Sequence, residues 1–257
     1  MRKQGFLNLV ASFLAVGVLG ATLAAQTSTA ARYDSQIQTT VTNKLASKSQ
    51  FANVKSGVED GIVTLTGTVD LYQRKLDAAK LARKGRSVQG VRNLITVAGP
   101  NVPDQQLDEK LARKLRYVRV GYDNTFDYFA LGVKDGVATV TGQTLNYAGR
   151  EAALAEVQTM PGVKDVVADI SVSPASLMDD GLRLRAMRVI YRDPMLSKYA
   201  MDPARPIRII VDNGHVKLYG SVDNATEKNV AGIRANQLFG AFSVENNLTV
   251  EQKSNRS

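Results

Sequence analysis

One eight-residue pattern occurs three times in the chain and constrains its fold more than any other feature. The copies are Asp60–Gly67, Asp135–Gly142 and Asn213–Gly220. Each begins with Asp-Gly or Asn-Gly, the strongest local signal for a β-hairpin, because glycine accepts the positive φ that the turn requires. The residues after the turn alternate between apolar and polar, which is typical of a strand with one buried face. Each copy therefore predicts a hairpin turn followed by a half-buried strand.

Six glycines occupy fixed places in this pattern. Three belong to the turns and three close the strands that follow, namely Gly61, Gly136 and Gly214, and Gly67, Gly142 and Gly220. A glycine on the buried face of a strand weakens the strand, so it usually marks a bulge or a close approach by another element. We interpret the closing glycines as room for a helix to pack.

The repeat extends well beyond the hairpin. Each closing glycine is followed, at the same spacing, by a valine that ends an apolar strand. These valines are Val97, Val172 and Val250. A helical stretch with small apolar residues one turn apart lies between, and another helix precedes each hairpin. Each unit therefore predicts the order helix, strand, strand, helix, strand. The second helix is a crossover between parallel strands, and such crossovers are right-handed.

This αββαβ unit resembles the BON domain, a family named for bacterial osmotic-shock and nodulation proteins. The resemblance is carried by the D-G-x-V-x-L-x-G strand and the late V-x-x-x-I-x-V strand. It implies an α+β fold of three tandem domains, each with a three-stranded mixed sheet packed on two helices. We place these domains at residues 33–98, 104–173 and 179–251. The resemblance also implies a periplasmic or outer-membrane protein associated with phospholipid binding and envelope integrity.

The N-terminal residues have the three parts of a secretory signal. Arg2 and Lys3 precede an apolar run that ends near Leu19, and small residues follow up to Ala25. The run is shorter than the roughly 20 residues that a membrane-spanning helix needs. We therefore predict a signal peptide over residues 1–25 and a polar tether over residues 26–32. The mature protein is expected in the periplasm, peripherally associated with a membrane; the alternative is a retained N-terminal anchor.

Composition limits the chemistry. The chain has no cysteine and one histidine, which excludes disulfides, thiol catalysis and a histidine-based metal cluster. No phosphate-binding loop or nucleophile elbow is present, and His215 follows a turn without a partner acid or nucleophile in the pattern. We expect no enzyme activity, small-molecule substrate, cofactor or metal. The net charge of +9 favours partners that carry phosphate. Export argues against nucleic acid, which leaves anionic membrane lipids.

The first helix of the third domain differs from its two counterparts. At 100° per residue, three apolar side chains face away from the predicted core and three arginines line one flank of the helix. They are Leu184, Met187 and Tyr191, and Arg185, Arg188 and Arg192. Exposed apolar strips bordered by basic residues mark contact with a membrane or a partner. We also expect Asp179 or Asp180 to cap this helix.

Two alternatives to a lipid site remain at this helix. The segment that follows it is longer than in the other domains and contains Met195, Leu196 and Tyr199. This segment could fold back over Leu184 and Tyr191 and enlarge the core, or a neighbouring domain could cover them.

Two functions fit these observations. The leading hypothesis is a periplasmic protein that binds anionic phospholipid surfaces and supports envelope integrity or osmotic stress tolerance. The alternative is a scaffold for envelope proteins that does not bind lipid and uses open sheet edges and the same apolar strip. Salt separates the two hypotheses, because it screens an arginine–lipid contact but not an apolar protein interface.

Overall fold

The computed structural model describes residues 19–117, 125–202 and 205–251, with side chains from Tyr33 onward. The predicted signal peptide therefore lies mostly outside the described residues. The first helix, α1 (Leu19–Ala46), passes through residues 26–32, the segment predicted to be a tether. Within the described ranges, every helix is too short or too polar to cross a membrane. By internal contacts the chain divides into two compact units, the first formed mainly by the first repeat and the second mainly by the other two.

The first repeat follows the predicted order of elements. After α1 and a short 3₁₀ turn come β1 (Val54–Glu59), β2 (Ile62–Val69), α2 (Tyr72–Arg83), β3 (Gly90–Asn93) and β4 (Thr96–Val97). Strand β1 pairs with β2 antiparallel, and β3 and β4 pair with β2 in parallel. The sheet is therefore mixed, with β2 at its centre.

The second repeat has the same topology with an unbroken last strand. Its elements are α3 (Asp104–Arg116), β5 (Tyr128–Lys134), β6 (Val137–Thr144), α4 (Tyr147–Gln158) and β7 (Asp165–Val172). The strand order is β5-β6-β7, antiparallel and then parallel.

The third repeat adds one short helix to this plan. Its elements are α5 (Leu177–Tyr191), α6 (Lys198–Met201), β8 (Arg208–Asp212), β9 (His215–Tyr219), β10 (Ser221–Val222), α7 (Ala225–Asn236), β11 (Ser243–Asn246) and β12 (Thr249–Val250). Strand β9 lies between β8 and β11, and β10 pairs with β12. The predicted fold of three αββαβ units with mixed sheets is confirmed.

Asparagines explain why the last strand is broken in the first and third repeats. The side-chain oxygen of Asn93 accepts a hydrogen bond from the backbone N–H of Ile95, and Asn246 does the same for Leu248, both at 3.3 Å. Such a local bond competes with the sheet ladder. The second repeat has Ala168 at the equivalent position, and β7 runs through it without a break.

The predicted hairpin turns are present, and each is held by an aspartate whose contact with the turn was not predicted from the sequence. Both residues of every turn have positive φ, as in Asn213 (50°) and Gly214 (78°). The buried carboxylate of Asp179 accepts hydrogen bonds from the backbone N–H groups of Asn213 and Gly214, at 3.0 and 2.9 Å. Asp34 and Asp104 hold the first and second turns in the same way. We call this arrangement the aspartate clamp.

The clamp corrects the predicted role of Asp179. Ser176, rather than Asp179 or Asp180, is the N-cap of α5, and its side chain accepts a hydrogen bond from the N–H of Asp179 at 3.2 Å. Asp179 is therefore free to reach across to the hairpin.

The interpretation of the closing glycines as room for a helix is wrong. A Cβ on Gly142 would lie 2.0 Å from the carbonyl oxygen of Tyr128, in the neighbouring strand. Gly67 and Gly220 face backbone carbonyls of the adjacent chain segment in the same way. Their φ angles, between 108° and 144°, are also ones that favour glycine. A strand carbonyl, rather than a helix, imposes these glycines.

The second and third repeats are joined through the residues that lead into β5. Phe126 packs against the core of the third repeat, and the carbonyl oxygen of Thr125 accepts a hydrogen bond from the N–H of Ile209 at 2.7 Å. The rings of Tyr128 and Tyr219 stack with centroids 3.9 Å apart. These contacts are the packing that marginally stable small domains need.

Two glycines of the second repeat provide a matched test of this fold. Gly142→Ala should lower the free energy of unfolding by about 3 kcal/mol, because the added methyl group meets a backbone oxygen at a strained φ. Gly132, in the adjacent strand, has nothing within 4 Å of an added Cβ. Gly132→Ala should therefore change stability by no more than about 1 kcal/mol. Urea unfolding monitored by circular dichroism measures both, and equal losses would contradict this account.

The aspartate clamp can be tested in the third repeat. Asp179→Ala removes an acceptor from two backbone N–H groups and should cost about 2–3 kcal/mol, since hydrogen bonds to a charged group are among the stronger ones. Asp169, an exposed carboxylate on β7, is the control, and Asp169→Ala should leave stability within about 0.5 kcal/mol. A wild-type unfolding midpoint in Asp179→Ala would show that the clamp does not stabilise the turn.

Candidate functional site

The rotation of α5 about its axis is fixed by contacts at its N-terminal end and by its buried side. Ser176 caps its start, Asp179 ties its first turn to the hairpin, and Leu182, Ala186 and Ile190 are buried against the sheet. Because the core side is fixed, the residues on the opposite side of the helix must face solvent.

Four of the six predicted lipid-contact residues are exposed on this outer side. Leu184 is 45% exposed, and Arg185, Arg188 and Arg192 are all exposed. Arg183 differs from these arginines, because its guanidinium is buried and bonds to Asp180 and to the backbone carbonyl of Val211, both at 2.6 Å. We use the term outer face for Leu184, Arg185, Arg188 and Arg192.

The expectation that Met187 and Tyr191 also face away from the core is wrong. Both are half-buried and pack against the core of the third repeat. The hydroxyl of Tyr191 donates a hydrogen bond to the carbonyl oxygen of Ile207 at 2.7 Å. The chain that returns from α5 to β8 therefore covers this side of the helix.

The returning segment enlarges the core, as one of the sequence-based alternatives proposed. Leu196 and Tyr199 are fully buried and belong to the core of the third repeat. The prediction that this segment packs over Tyr191 is thus confirmed, but the segment leaves Leu184 exposed. The apolar strip predicted from the helical wheel is reduced to one leucine beside three arginines.

A polar network anchors this segment to α7. The Tyr199 hydroxyl donates to the buried carboxylate of Glu227 at 2.5 Å and accepts from the N–H of Asp223 at 2.8 Å. The Lys198 ammonium lies 2.9 Å from the other Glu227 oxygen and also bonds to Asp223. Burial and the hydrogen bond to Glu227 raise the pKa of Tyr199 to about 12. Burial raises the pKa of Glu227, but hydrogen bonds from Lys198 and Tyr199 outweigh it and hold that pKa below its usual range.

A second exposed apolar group lies where the hairpin turn meets the start of α5. The backbone N–H of Phe242 donates to the carbonyl oxygen of the turn residue Gly214 at 2.8 Å, and the ring lies against this glycine. Phe242 is 77% exposed, and Phe239 in the same loop is 91% exposed. Leu177 and Met178, just before the clamp residue, are 93% and 80% exposed. We call these four residues the hairpin end.

Sequence reasoning missed the hairpin end, although the repeat contained a signal for it. Gln89 and Lys164 make the same backbone bond to their turn glycines, at 2.9 Å, and lie over those glycines as Phe242 does over Gly214. Aligning the repeats on the turn glycine would have shown a phenylalanine where the others have polar residues. Exposure itself could not be inferred, because an apolar residue at this position could equally have entered the core.

The outer face and the hairpin end are contiguous. A Cβ on Gly240, between the two phenylalanines, would lie 3.4 Å from a guanidinium nitrogen of Arg185. A Cβ on Gly181, in the first turns of α5, would lie 3.2 Å from the other terminal nitrogen. The Arg185 guanidinium therefore lies between the loop and the helix and connects the two groups.

Other chemistry is limited in the described parts of the chain. His215 is exposed, and its Nδ1 lies 2.7 Å from the hydroxyl of Ser243. Within residues 33–117, 125–202 and 205–251, no three carboxylate or histidine side chains group as metal ligands would.

The comparisons with known proteins identify a family. The model of the BON domain matches residues 33–99, 131–174 and 195–252, which together exceed half of the chain. No curated protein matches the sequence.

Two similar solved structures come from type III secretion systems. One is the C-terminal domain of CdsD, described as the structural protein of this system in Chlamydia trachomatis; the identity is 12%, with 84% of this chain and 96% of that chain covered and a TM-score of 0.23. The other is the periplasmic domain of PrgH, an inner membrane protein from S. typhimurium. The identity is 10%, with 82% of this chain and 100% of that chain covered and a TM-score of 0.18. These scores are too low to support conclusions about fold or function.

The network around Glu227 gives a pH prediction. A carboxylate whose pKa is depressed by folding stabilises the protein above its unfolded pKa, near 4.5, and this contribution is lost as the pH falls through the lower folded value. Glu227→Gln should therefore be less stable than wild type at pH 7, and the difference should shrink as the pH is lowered below about 4.5. Glu151→Gln, at a side chain that is 69% exposed, is the control. Urea midpoints across this pH range test the prediction, and a constant difference would refute it.

Proposed function

This chain belongs to the BON-domain family, and we propose on that basis that it is an exported periplasmic protein that binds anionic phospholipid surfaces. In this proposal the protein acts by binding rather than by catalysis, and it supports envelope integrity or osmotic stress tolerance. The third repeat makes the contact through its outer face.

The observation that carries the proposal is the alignment of three exposed arginines on one fixed helix. Arg185 and Arg188 lie on the side of α5 away from the core, and Arg192, the C-cap residue, continues this exposed row at the end of the helix. A guanidinium bonds to phosphate oxygens in a bidentate manner and remains charged at any physiological pH. Each basic residue close to an anionic bilayer contributes about 1 kcal/mol of binding free energy.

The other two repeats do not present this combination. When the helices are aligned on the aspartate clamp, the residues that correspond to Leu184, Arg185 and Arg188 are Thr39, Thr40 and Asn43 in the first repeat, and Glu109, Lys110 and Arg113 in the second. The first set is uncharged, and the second includes an acid in place of the leucine. The third repeat is thus the best candidate for the lipid contact.

A protein-binding scaffold is the second candidate, favoured by one feature of the second repeat. Strand β7 is at one end of its sheet, is one of the longest strands described, and exposes 53% of Val167. An exposed edge strand can pair with a strand from another chain. Such a contact would not require the arginines of α5.

Charge removal on matched helices tests the lipid proposal. The triple variant Arg185→Gln, Arg188→Gln, Arg192→Gln should bind vesicles of phosphatidylglycerol and phosphatidylcholine about a hundredfold more weakly than wild type, since about 3 kcal/mol is lost. The control triple variant Lys110→Gln, Arg113→Gln, Arg116→Gln removes the same charge from α3 and should bind within about threefold of wild type. Cosedimentation measures both affinities.

Two outcomes would contradict this assignment. Equal losses in the two triple variants would show that net charge, rather than α5, determines binding. Wild-type binding in the α5 variant would exclude the outer face, and the scaffold would become the better hypothesis. Salt provides an independent check, because binding through arginines should weaken steadily between about 50 mM and about 500 mM NaCl.

A further inference from the structure

We propose that the hairpin end of the third repeat inserts Leu177, Met178, Phe239 and Phe242 into the interfacial region of the bilayer. This inference rests on the proposed membrane binding and adds a second, apolar component to it. The arginines of the outer face bring the protein to the lipid headgroups, and the hairpin end then enters the layer beneath them.

The exposure of the hairpin end is concentrated in one place. Five large apolar side chains in the described chain are more than three-quarters exposed. Four of them, at 93%, 80%, 91% and 77%, form the hairpin end, and the fifth is Met201. Single exposed apolar residues are ordinary, but a cluster of this kind marks a contact surface.

The fold does not require phenylalanine at the two loop positions of the hairpin end. The equivalent loops of the three repeats can be aligned on Ser87, Gly162 and Gly240. Each of these residues has a positive φ angle and follows the turn glycine of its repeat at the same spacing. At the position of Phe239 the other repeats carry Arg86 and Pro161, and at that of Phe242 they carry Gln89 and Lys164. The same loop backbone is thus built without phenylalanine elsewhere in the chain. Phenylalanine at both positions is a property of the third repeat alone.

The charges around the hairpin end favour a lipid surface as its partner. The guanidinium of Arg185 lies against Gly240, between the two phenylalanines. Three carboxylates beside the hairpin end already have partners. Asp179 belongs to the clamp and Asp180 pairs with Arg183, whereas Asp212 accepts a hydrogen bond from the side-chain amide of Asn213. An anionic headgroup can therefore approach the loop and bond to an arginine while the rings enter the layer below.

The shape of the hairpin end also fits a bilayer. Its side chains come from a helix start and a loop that both contact the hairpin turn, and all four are mostly exposed to solvent. Aromatic rings and basic residues together are typical of segments that lie at the membrane–water boundary. Insertion of four such side chains needs no rearrangement of the fold.

The absence of tryptophan from the chain allows a direct test. Because the sequence contains none, Phe239→Trp introduces a single fluorescent reporter at the hairpin end. Tyr147, 71% exposed at the start of α4 in the second repeat, provides the matched control reporter as Tyr147→Trp. Both full-length variants are mixed with phosphatidylglycerol–phosphatidylcholine vesicles that carry bromine atoms on their acyl chains.

The expected result is a blue-shifted emission and strong quenching of Phe239→Trp, with neither change in Tyr147→Trp. Cosedimentation of the same samples separates this inference from the proposed function. If Phe239→Trp sediments with vesicles but is neither shifted nor quenched, the hairpin end does not insert although lipid binding holds. If it does not sediment, the proposed membrane binding fails, and insertion fails with it.

Exchange of residues between repeats provides a second test that preserves the fold. The variant Phe239→Arg, Phe242→Gln carries the residues of the first repeat at these positions. It gains a positive charge, so a purely electrostatic contact would become stronger. If the rings insert, affinity measured at about 500 mM NaCl, where charge is screened, should instead fall about tenfold or more. Unchanged or tighter binding at this salt concentration would overturn the proposal.

Discussion

The hydrogen bonds between one carboxylate and two backbone N–H groups are the interaction on which each repeat depends. Asp34, in the middle of α1, and Asp104 and Asp179, in the first turns of α3 and α5, each connect the first helix of a repeat to the hairpin turn of the same repeat. The turn needs positive φ at both residues, and its N–H groups point outward where the carboxylate meets them. The clamp therefore stabilises a strained turn and fixes the helix relative to the sheet. In the third repeat this determines which side chains of α5 face solvent, and it brings the start of α5 beside the hairpin.

The third repeat differs from the other two in the segment that connects its first helix to its hairpin. Its longer connection buries Leu196 and Tyr199 and ties Lys198 and Tyr199 to Glu227 on α7. The connection covers one side of α5, where Met187 and Tyr191 lie, and leaves the side with the arginines open. Stability and surface chemistry are thus supplied by different parts of the same domain.

The fold could be predicted from the sequence because short local patterns specify it and each pattern occurs three times. Asp-Gly or Asn-Gly followed by alternating residues specifies a hairpin from near neighbours alone. The clamp aspartates were missed because their partners are 26 to 35 residues away. The helical wheel placed Leu184 and the arginines correctly, but it could not include a returning chain segment, so Met187 and Tyr191 were misplaced. The closing glycines were recognised as special, yet the element that approaches them is a paired strand whose carbonyl position depends on register.

The energetics of membrane association explain why the third repeat would combine arginines with an apolar end. Three arginines supply about 3 kcal/mol, whereas even a millimolar dissociation constant corresponds to about 4.1 kcal/mol. The outer face alone would therefore hold the protein at a bilayer only weakly and would release it as salt increases. Partial burial of two phenylalanines, a leucine and a methionine adds a contribution that salt does not screen. Stable attachment of a peripheral protein generally takes two such signals. Arg185 adjoins the loop that carries Phe239 and Phe242, so the two proposed signals are next to each other in the third repeat.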